Sequence, residues 1–431
     1  MAERKLLLEH SHDPAFRTLD GYKHTGGYAG LTKALEGERQ VVVDEIKTSG
    51  LRGRGGAGFP TWIKWNGLPK EKKGPHYVLC NADEGEPGTF KDKQLLETCP
   101  FLLIEGMTIA GYATQSDVGY IYIRGEYMDG ALSVRAALDE AYAAGLLGKN
   151  ILGKGFDYDL HIHCGAGSYE CGEESALMSS LMGERGMPRL KFPHAPLPTV
   201  EGAWNKPTLI NNVETYCCAP VIMQNGGAWY ASLGASTKNS RGTKIFSVSG
   251  HVNRPGNYEI EFGTTLMELL ELAGGMKGGK LKACVPGGSS VPILNAEAVE
   301  KAVLGYEEMS EVKSMVGSGG CIFLNEHSDI VKFAWRTSLF YANESCGKCT
   351  PCREGTKWLF QILERMVNGG GLPGDIDLLK HVASQIDGRS FCALGDAAAW
   401  PIMGMIRVFP EEFEYYIQHG RSMIGDQLRA A

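Results

Sequence analysis

The sequence predicts a multidomain α/β protein that ends in a helical, cysteine-bearing region, and three observations carry this. Within residues 1–240 two strand–loop–helix units recur, one running from His76 through Phe90 and one from Asp157 through Ser175. Near residue 240 the texture changes to short strands around one short helix, which marks a small α+β domain over 241–327. From about Ser328 to residue 431 the pattern is mostly helical, and the loops bear cysteines. A chain of 431 residues is long enough for several such domains.

Composition narrows the class. The chain is 43% hydrophobic and 22% charged, which is ordinary for a globular protein. A net charge of −7 argues against nucleic acid and anionic membrane as partners, since those are met with basic surfaces. The apolar run Phe101 to Ala113 is interrupted by Glu105 and is too short to span a bilayer. No signal-peptide pattern stands at the start, so a soluble, cytoplasmic chain is expected and its twelve cysteines read as thiols or metal ligands.

Taken in order, residues 1–40 form a polar lead-in with little signal. Val41 to Gly50 reads as a short amphipathic helix stopped by glycine. Leu51-Arg-Gly-Arg-Gly-Gly-Ala-Gly-Phe-Pro-Thr61 follows. Gly53, Gly55, Gly56 and Gly58 let backbone amides approach a ligand closely. Pro60 and Thr61 start a helix that carries Lys64, and with Arg52 and Arg54 this favours phosphate over a plain surface loop. The loop departs from the dinucleotide fingerprint, because a helix precedes it.

The buried-strand pattern His76 to Cys80 runs into Asn81-Ala-Asp83-Glu84-Gly85-Glu86. In open α/β sheets ligands sit beyond the carboxyl ends of strands, where such side chains accept hydrogen bonds from ring N–H groups or sugar hydroxyls. A helix is expected near 93–114, a strand over Gly119 to Arg124, and a long helix capped by Asp129 and ended at Gly145. The strand ending at Cys164 opens a second glycine loop, Gly165-Ala-Gly-Ser-Tyr169-Glu-Cys-Gly172-Glu173-Glu174-Ser175. His161 and His163 share a face of that strand and read as structural. Asn211 and Asn212 stand ahead of another helix, in which Cys217 and Cys218 read as core thiols.

In the helical end, Cys346, Cys349 and Cys352 stand at i, i+3 and i+6 in a short segment with Gly347 and Pro351. One turn of backbone can then point three thiolates at one centre, as [4Fe–4S] clusters are held, and Cys392 is the next residue able to complete the set. Zinc and disulfides are the alternatives, although the paired Cys-x-x-Cys spacing of structural zinc is lacking.

These segments, in this order, resemble the NADH-oxidising flavoprotein subunit of respiratory complex I, the F subunit of the NADH-quinone oxidoreductases. The resemblance spans about residues 20–415 and includes Asn211-Asn-Val-Glu-Thr215, Glu344-Ser-Cys-Gly-Lys-Cys-Thr-Pro-Cys-Arg-Glu-Gly355 and Phe391-Cys-Ala-Leu-Gly-Asp396. It implies a Rossmann-like FMN- and NADH-binding domain, then a β-grasp-like domain, then a helical bundle holding a [4Fe–4S] cluster on Cys346, Cys349, Cys352 and Cys392. It implies hydride transfer from NADH to FMN and release of single electrons toward quinone. The implied FMN contacts are Gly53, Arg54, Gly55, Gly56, Lys64, Asn81, Asp83, Gly85, Gly172, Glu173, Glu174, Asn211 and Asn212. The implied NADH contacts are Phe59, stacked on adenine, with Glu84, Glu86, Tyr169, Glu174 and Lys191, and Glu174 would tune the flavin.

The implied partners are a thioredoxin-like [2Fe–2S] subunit and the large iron–sulfur subunit, in a peripheral arm on the cytoplasmic side of the membrane. Two stretches depart from the family pattern: Gly67 stands where an aromatic is common, and Lys191-Phe-Pro-His-Ala-Pro carries extra residues before Trp204. The alternatives are the diaphorase subunit of an NAD-linked hydrogenase or formate dehydrogenase, or a non-enzymatic iron–sulfur or zinc protein.

Overall fold

The structure, a computed structural model, describes residues 3–191 and 193–424. It divides into two compact units. The first comprises Met1–Gly85, Phe90–Phe246 and Glu259–Gly263, and the second Glu86–Thr89, Ser247–Tyr258 and Thr264–Ala431.

The first unit opens with α1 (Leu19–His24), α2 (Ala29–Glu36) and α3 (Arg39–Thr48). Residues 1–40 are therefore more than a polar lead-in, which corrects the reading from sequence. Leu7, Leu8, Phe16, Tyr22, Leu31 and Leu35 are buried, but they are spaced too irregularly to announce a helix. Then come α4 (Thr61–Asn66), β1 (Tyr77–Ala82), α5 (Lys91–Thr98), α6 (Pro100–Ala113), β2 (Val118–Ile123), α7 (Met128–Ala143) and β3 (Asp159–Cys164). The unit continues with α8 (Glu174–Leu181), β4 (Thr208–Asn212), α9 (Val213–Asn225) and α10 (Gly227–Ser232).

Two boundaries differ from expectation. The single helix near 93–114 is two helices, because Pro100 cannot donate the hydrogen bond that would continue α5 and instead opens α6. Asp129 lies in the first turn of α7 rather than at its cap, which is Tyr127.

Strands β3, β2, β1 and β4 form a four-stranded sheet in that order, and every pairing is parallel. Side chains of β1 alternate between two faces. Val78, Cys80 and Ala82 enter the large core with α6 and α9, whereas Leu79 joins Leu177, Met178 and Leu181 of α8 and Ile210 of β4. Helix α6 is buried nearly all round, which explains its apolar run. Its Glu105 accepts the Tyr22 hydroxyl and the amides of Tyr28 and Leu31. Gly106 lets α9 approach, since a Cβ there would meet the Tyr216 carbonyl oxygen at 2.0 Å. No helix among the described residues is long and apolar enough to cross a membrane.

A second, five-stranded sheet has the order β6-β5-β9-β7-β8. Its strands are β5 (Thr243–Gly250), β6 (Gly256–Glu261), β7 (Leu281–Val285), β8 (Leu294–Asn295) and β9 (Gly320–Asn325). Strand β9 pairs parallel with β5 and antiparallel with β7. In the second unit α11 (Leu266–Leu272) starts on a reciprocal Thr265/Glu268 capping box, followed by α12 (Ala296–Lys301) and α13 (Tyr306–Glu311). The helical end consists of α14 (Ile330–Glu344), α15 (Thr350–Arg365), α16 (Asp375–Ile386), α17 (Leu394–Val408) and α18 (Pro410–His419). Their buried faces share a core that includes Ile330, Leu359, Leu363, Leu379, Ala399 and Phe413.

Candidate functional site

The order β3-β2-β1-β4 places a topological switch point between β1 and β4, because the chain runs outward from β1 to β3 and then crosses back to the other side. A crevice opens beyond the carboxyl ends of two such strands. Asn81 of β1 is paired in register with Asn212 of β4, so the polar tips read from sequence meet at that point. Asn81 donates its amide to the Gly172 carbonyl at 2.7 Å, and its Oδ1 accepts the Asp83 N–H at 3.2 Å. Asn212 caps α9 by accepting the Glu214 N–H at 3.0 Å. The Oδ1 of Asn211 accepts the indole N–H of the fully buried Trp65 at 3.1 Å.

Both glycine loops reach this place. The first is closed by an Arg52/Pro60 bridge, with the Gly53 N–H on the Phe59 carbonyl at 2.8 Å. Gly56 and Gly58 have φ of 138° and 62°, conformations open to glycine. A Cβ on Gly55 would lie 3.2 Å from that of Asn212. In the second loop, a Cβ on Gly172 would lie 3.2 Å from the Asp83 carbonyl oxygen, and one on Gly85 would lie 3.1 Å from the Tyr169 ring. The Thr61 hydroxyl, wholly buried at the start of α4, has no hydrogen-bond partner among the described residues. Close backbone approach, paired amides and an orphaned hydroxyl fit a flat polar ligand with a phosphate tail.

Glu173 and Glu174 each take one lysine. Lys64 pairs with Glu174 at 3.0 Å, and Lys191 pairs with Glu173 at 2.7 Å. The other oxygen of Glu173 caps α8, accepting the Ser175 and Ala176 amides at 3.0 Å. Phe59 is 46% exposed, as a platform for a ring would be. The two departures from the family pattern come together, because a Cβ on Gly67 would lie 3.3 Å from the Thr199 hydroxyl. The longer segment before Trp204 thus packs where a larger residue at 67 would stand; Phe192 within it lies outside the described residues.

Three expected contacts have other tasks. The Arg54 guanidinium, expected at a phosphate, is fully buried. It donates to the carbonyls of Arg52, Thr243 and Arg241 and to the Tyr230 hydroxyl, and it lies 4.9 Å from the Phe262 ring centre. Glu84, expected at a ribose, is buried too: its carboxylate accepts the Asp92 and Lys93 amides and the Tyr127 hydroxyl, anchoring the start of α5. Burial raises its pKa to about 7, with Asp92 pushing the same way. Glu86 belongs to the second unit, where it accepts the Ser290 N–H at 2.7 Å and the Ser289 hydroxyl at 3.2 Å.

A buried ionic chain behind the switch point escaped the sequence reading. Lys91 reaches Asp92 at 2.7 Å, Glu214 at 2.9 Å and the Asn212 Oδ1 at 3.2 Å. Lys244 reaches Glu214 at 3.4 Å and donates to the Arg54 carbonyl at 3.0 Å. Burial alone would raise the Glu214 carboxyl, but Lys244, Lys91 and Arg54 outweigh it and hold the pKa below the usual value. Burial lowers Lys244 to about 8 despite Glu214. Lys91, Asp92 and Glu214 lie beside the polar strand tips in sequence, yet nothing in the pattern around Lys244 marks it. A cavity of about 310 Å³, lined by Phe16, Tyr22, Glu105 and Trp229 among others, includes none of the switch-point residues.

In the second unit the three clustered cysteines straddle a helix start rather than lying wholly in a loop. Cys346 is in the loop after α14, Cys349 caps α15, and Cys352 is buried in its first turn. The loop before α17 comes against them: the Phe391 N–H points at Cys349 Sγ at 3.4 Å, and Lys348 lies 4.2 Å from the Phe391 ring centre. Cys392 follows directly. Among the described residues no cysteine is disulfide-bonded. Among the described residues no three Cys, His, Asp or Glu side chains draw together as ligands of a single ion would. The irons of a cubane stand apart and each takes one sulfur, so its ligands need not draw together as those of a single ion do.

Residues 46–221 match the family model of the Nuo51 FMN-binding domain, 244–331 the SLBB domain, and 332–416 the NADH-ubiquinone oxidoreductase-F iron-sulfur binding region. The chain is 47% identical over 413 residues to the F subunit of NADH-quinone oxidoreductase in Rickettsia bellii (strain OSU 85-389), covering 95% of this chain and 97% of that protein. It is 46% identical over 402 residues to the protein of the same name in Rhodobacter capsulatus, covering 92% of each. Among solved structures it is similar to the NAD+-reducing [NiFe]-hydrogenase in the H2-reduced state, with a TM-score of 0.83 and 32% identity over 97% of this chain and 68% of that one.

Proposed function

Because the chain belongs to the family of NADH-quinone oxidoreductase F subunits, we propose how its own residues divide the work of an NADH-oxidising flavoprotein. FMN, when bound, supplies the hydride acceptor and parts the electron pair, and the [4Fe–4S] cluster supplies a one-electron carrier. The protein's task is to bind, orient and tune.

The observation that carries the assignment is the meeting of Asn81 and Asn212 at the β1/β4 switch point, with a glycine loop on either side. Gly53 to Gly56 would bring backbone amides to the flavin, with Arg54 acting through its backbone because its side chain is held inside. Asn81, Asp83, Asn211 and Asn212 would meet the polar edge of the ring and its ribityl chain. Lys64 stands beside Glu174, so the two together set the local charge that the ring would feel. Phe59, Tyr169 and Lys191 would receive the nucleotide. Cys346, Cys349, Cys352 and Cys392 would hold the cluster. A three-part division at about residues 240 and 327 goes with this reading.

The test is Gly55→Ala. The added Cβ meets Asn212 at 3.2 Å and no backbone strain arises, so the flavin-binding site is altered while the fold is spared. FMN affinity, measured by fluorescence quenching on the flavin-free chain, is expected to fall at least tenfold with an unchanged unfolding midpoint. Unaltered FMN affinity would refute the placement.

The chain is one component of a larger assembly, of complex I or hydrogenase type. We assign its neighbours as a thioredoxin-like [2Fe–2S] subunit and a large iron–sulfur subunit, in a peripheral arm on the cytoplasmic face. The likeness to the hydrogenase supports a second reading, a diaphorase subunit. The proteins that co-purify with the chain distinguish the two.

A further inference from the structure

Ser345 ends α14, and its side chain turns back toward the cysteines. Its hydroxyl oxygen lies 3.1 Å from Cys352 Sγ and accepts the Gly347 N–H at 3.4 Å. The polarity of the contact to sulfur follows from the chemistry. A cysteine that ligates iron is a thiolate and has no proton to give. An N–H can only donate, so the Gly347 amide occupies a lone pair of the serine oxygen and leaves its proton free. The O–H of Ser345 therefore donates to Cys352. That residue is 4% exposed, so water competes little for its sulfur.

We propose that Ser345 is a positioning residue for electron transfer: through its hydrogen bond to the Cys352 thiolate it holds the reduction potential of the iron–sulfur cluster up. Each electron taken up adds negative charge to the irons and their sulfurs. A donor aimed at a ligand sulfur stabilises the reduced state more than the oxidised one. The Phe391 amide acts in the same sense on Cys349, but it belongs to the backbone, and only proline, which would also constrain the loop, removes it. Ser345 is the donor that one hydroxyl deletion takes away. The inference rests on the reading of Cys352 as a cluster ligand.

The experiment uses the full-length chain with its cofactors, as Ser345→Ala, Ser345→Thr and Cys352→Ala beside wild type. Iron content is measured, and an anaerobic redox titration is followed by electron paramagnetic resonance of the reduced cluster. With Ser345→Ala the expected result is a full cluster whose oxidised-to-reduced ratio, at the wild-type midpoint, rises about tenfold, a downward shift of about 59 mV for one electron. Ser345→Thr, which keeps the hydroxyl, is expected to restore the wild-type potential. A full cluster with an unshifted potential in Ser345→Ala would overturn the proposal. If that variant loses its cluster, Ser345→Thr decides: wild-type potential upholds the proposal, and a lowered potential on a full cluster overturns it. A normal four-iron cluster in Cys352→Ala would instead overturn the ligand assignment, and the inference with it.

Discussion

Glu173 and Glu174 are neighbours in sequence with different work to do. Glu173 caps α8 and holds Lys191, so much of its role is structural. Glu174 caps nothing; it faces Lys64, and both side chains remain about a third exposed. Replacing Glu174 by Gln removes a charge and keeps the shape. The expected outcome is a shifted flavin midpoint potential or a changed NADH affinity while FMN stays bound, read by redox titration and nucleotide binding. If neither moves, Glu174 serves only as the partner of Lys64. At this scale the sequence was legible where a side chain acts beside its own loop, as with Asn81, Asn212 and the glycines. It misled where a side chain folds back. Glu84 stands among the strand-tip acids, yet its carboxylate serves amides eight and nine residues further on. Adjacency along the chain cannot show that return.

The element that organises the first unit is the pair β1 and β4. Its polar tips were readable because they follow buried strand patterns, whereas its support was not. The ions behind it come from α5, α9 and β5, brought together only by folding. Truncating Glu214 to Ala would leave two buried lysines without their shared partner, and such losses typically cost about 3–5 kcal/mol. Chemical denaturation of the flavin-free chain should show a loss of that size; a loss under about 1 kcal/mol would mean the lysines find other partners.

The N-terminal segment is tied down by a comparable element. Glu259 of β6 accepts the amides of Leu6, Leu7 and Leu8 and the Thr243 hydroxyl. Burial raises its pKa from 4.5 to about 7, and these hydrogen bonds pull only partly against it. A folded value above the unfolded one means that the native state keeps a proton the unfolded chain has released. The stability this group contributes is full below pH 4.5 and is lost as pH rises through about 7. Thermal unfolding from pH 5 to 8 should therefore fall more steeply for wild type than for Glu259→Gln, and parallel curves would assign the dependence to other groups.

For the whole molecule, the cysteine spacing and the ordered segments carried the family and the cofactors, because both rest on patterns local to the chain. The residues proposed for flavin lie in the first unit and those proposed for the cluster in the second, so the two can be disabled separately. The decisive measurement is anaerobic addition of NADH to wild-type and Cys392→Ala chains, with flavin absorbance and the paramagnetic signal of the cluster recorded together. NADH should bleach the flavin in both proteins and yield a reduced four-iron cluster only in wild type. A flavin that NADH leaves oxidised, or an undiminished four-iron signal in Cys392→Ala, would contradict this account of how electrons enter and leave the chain.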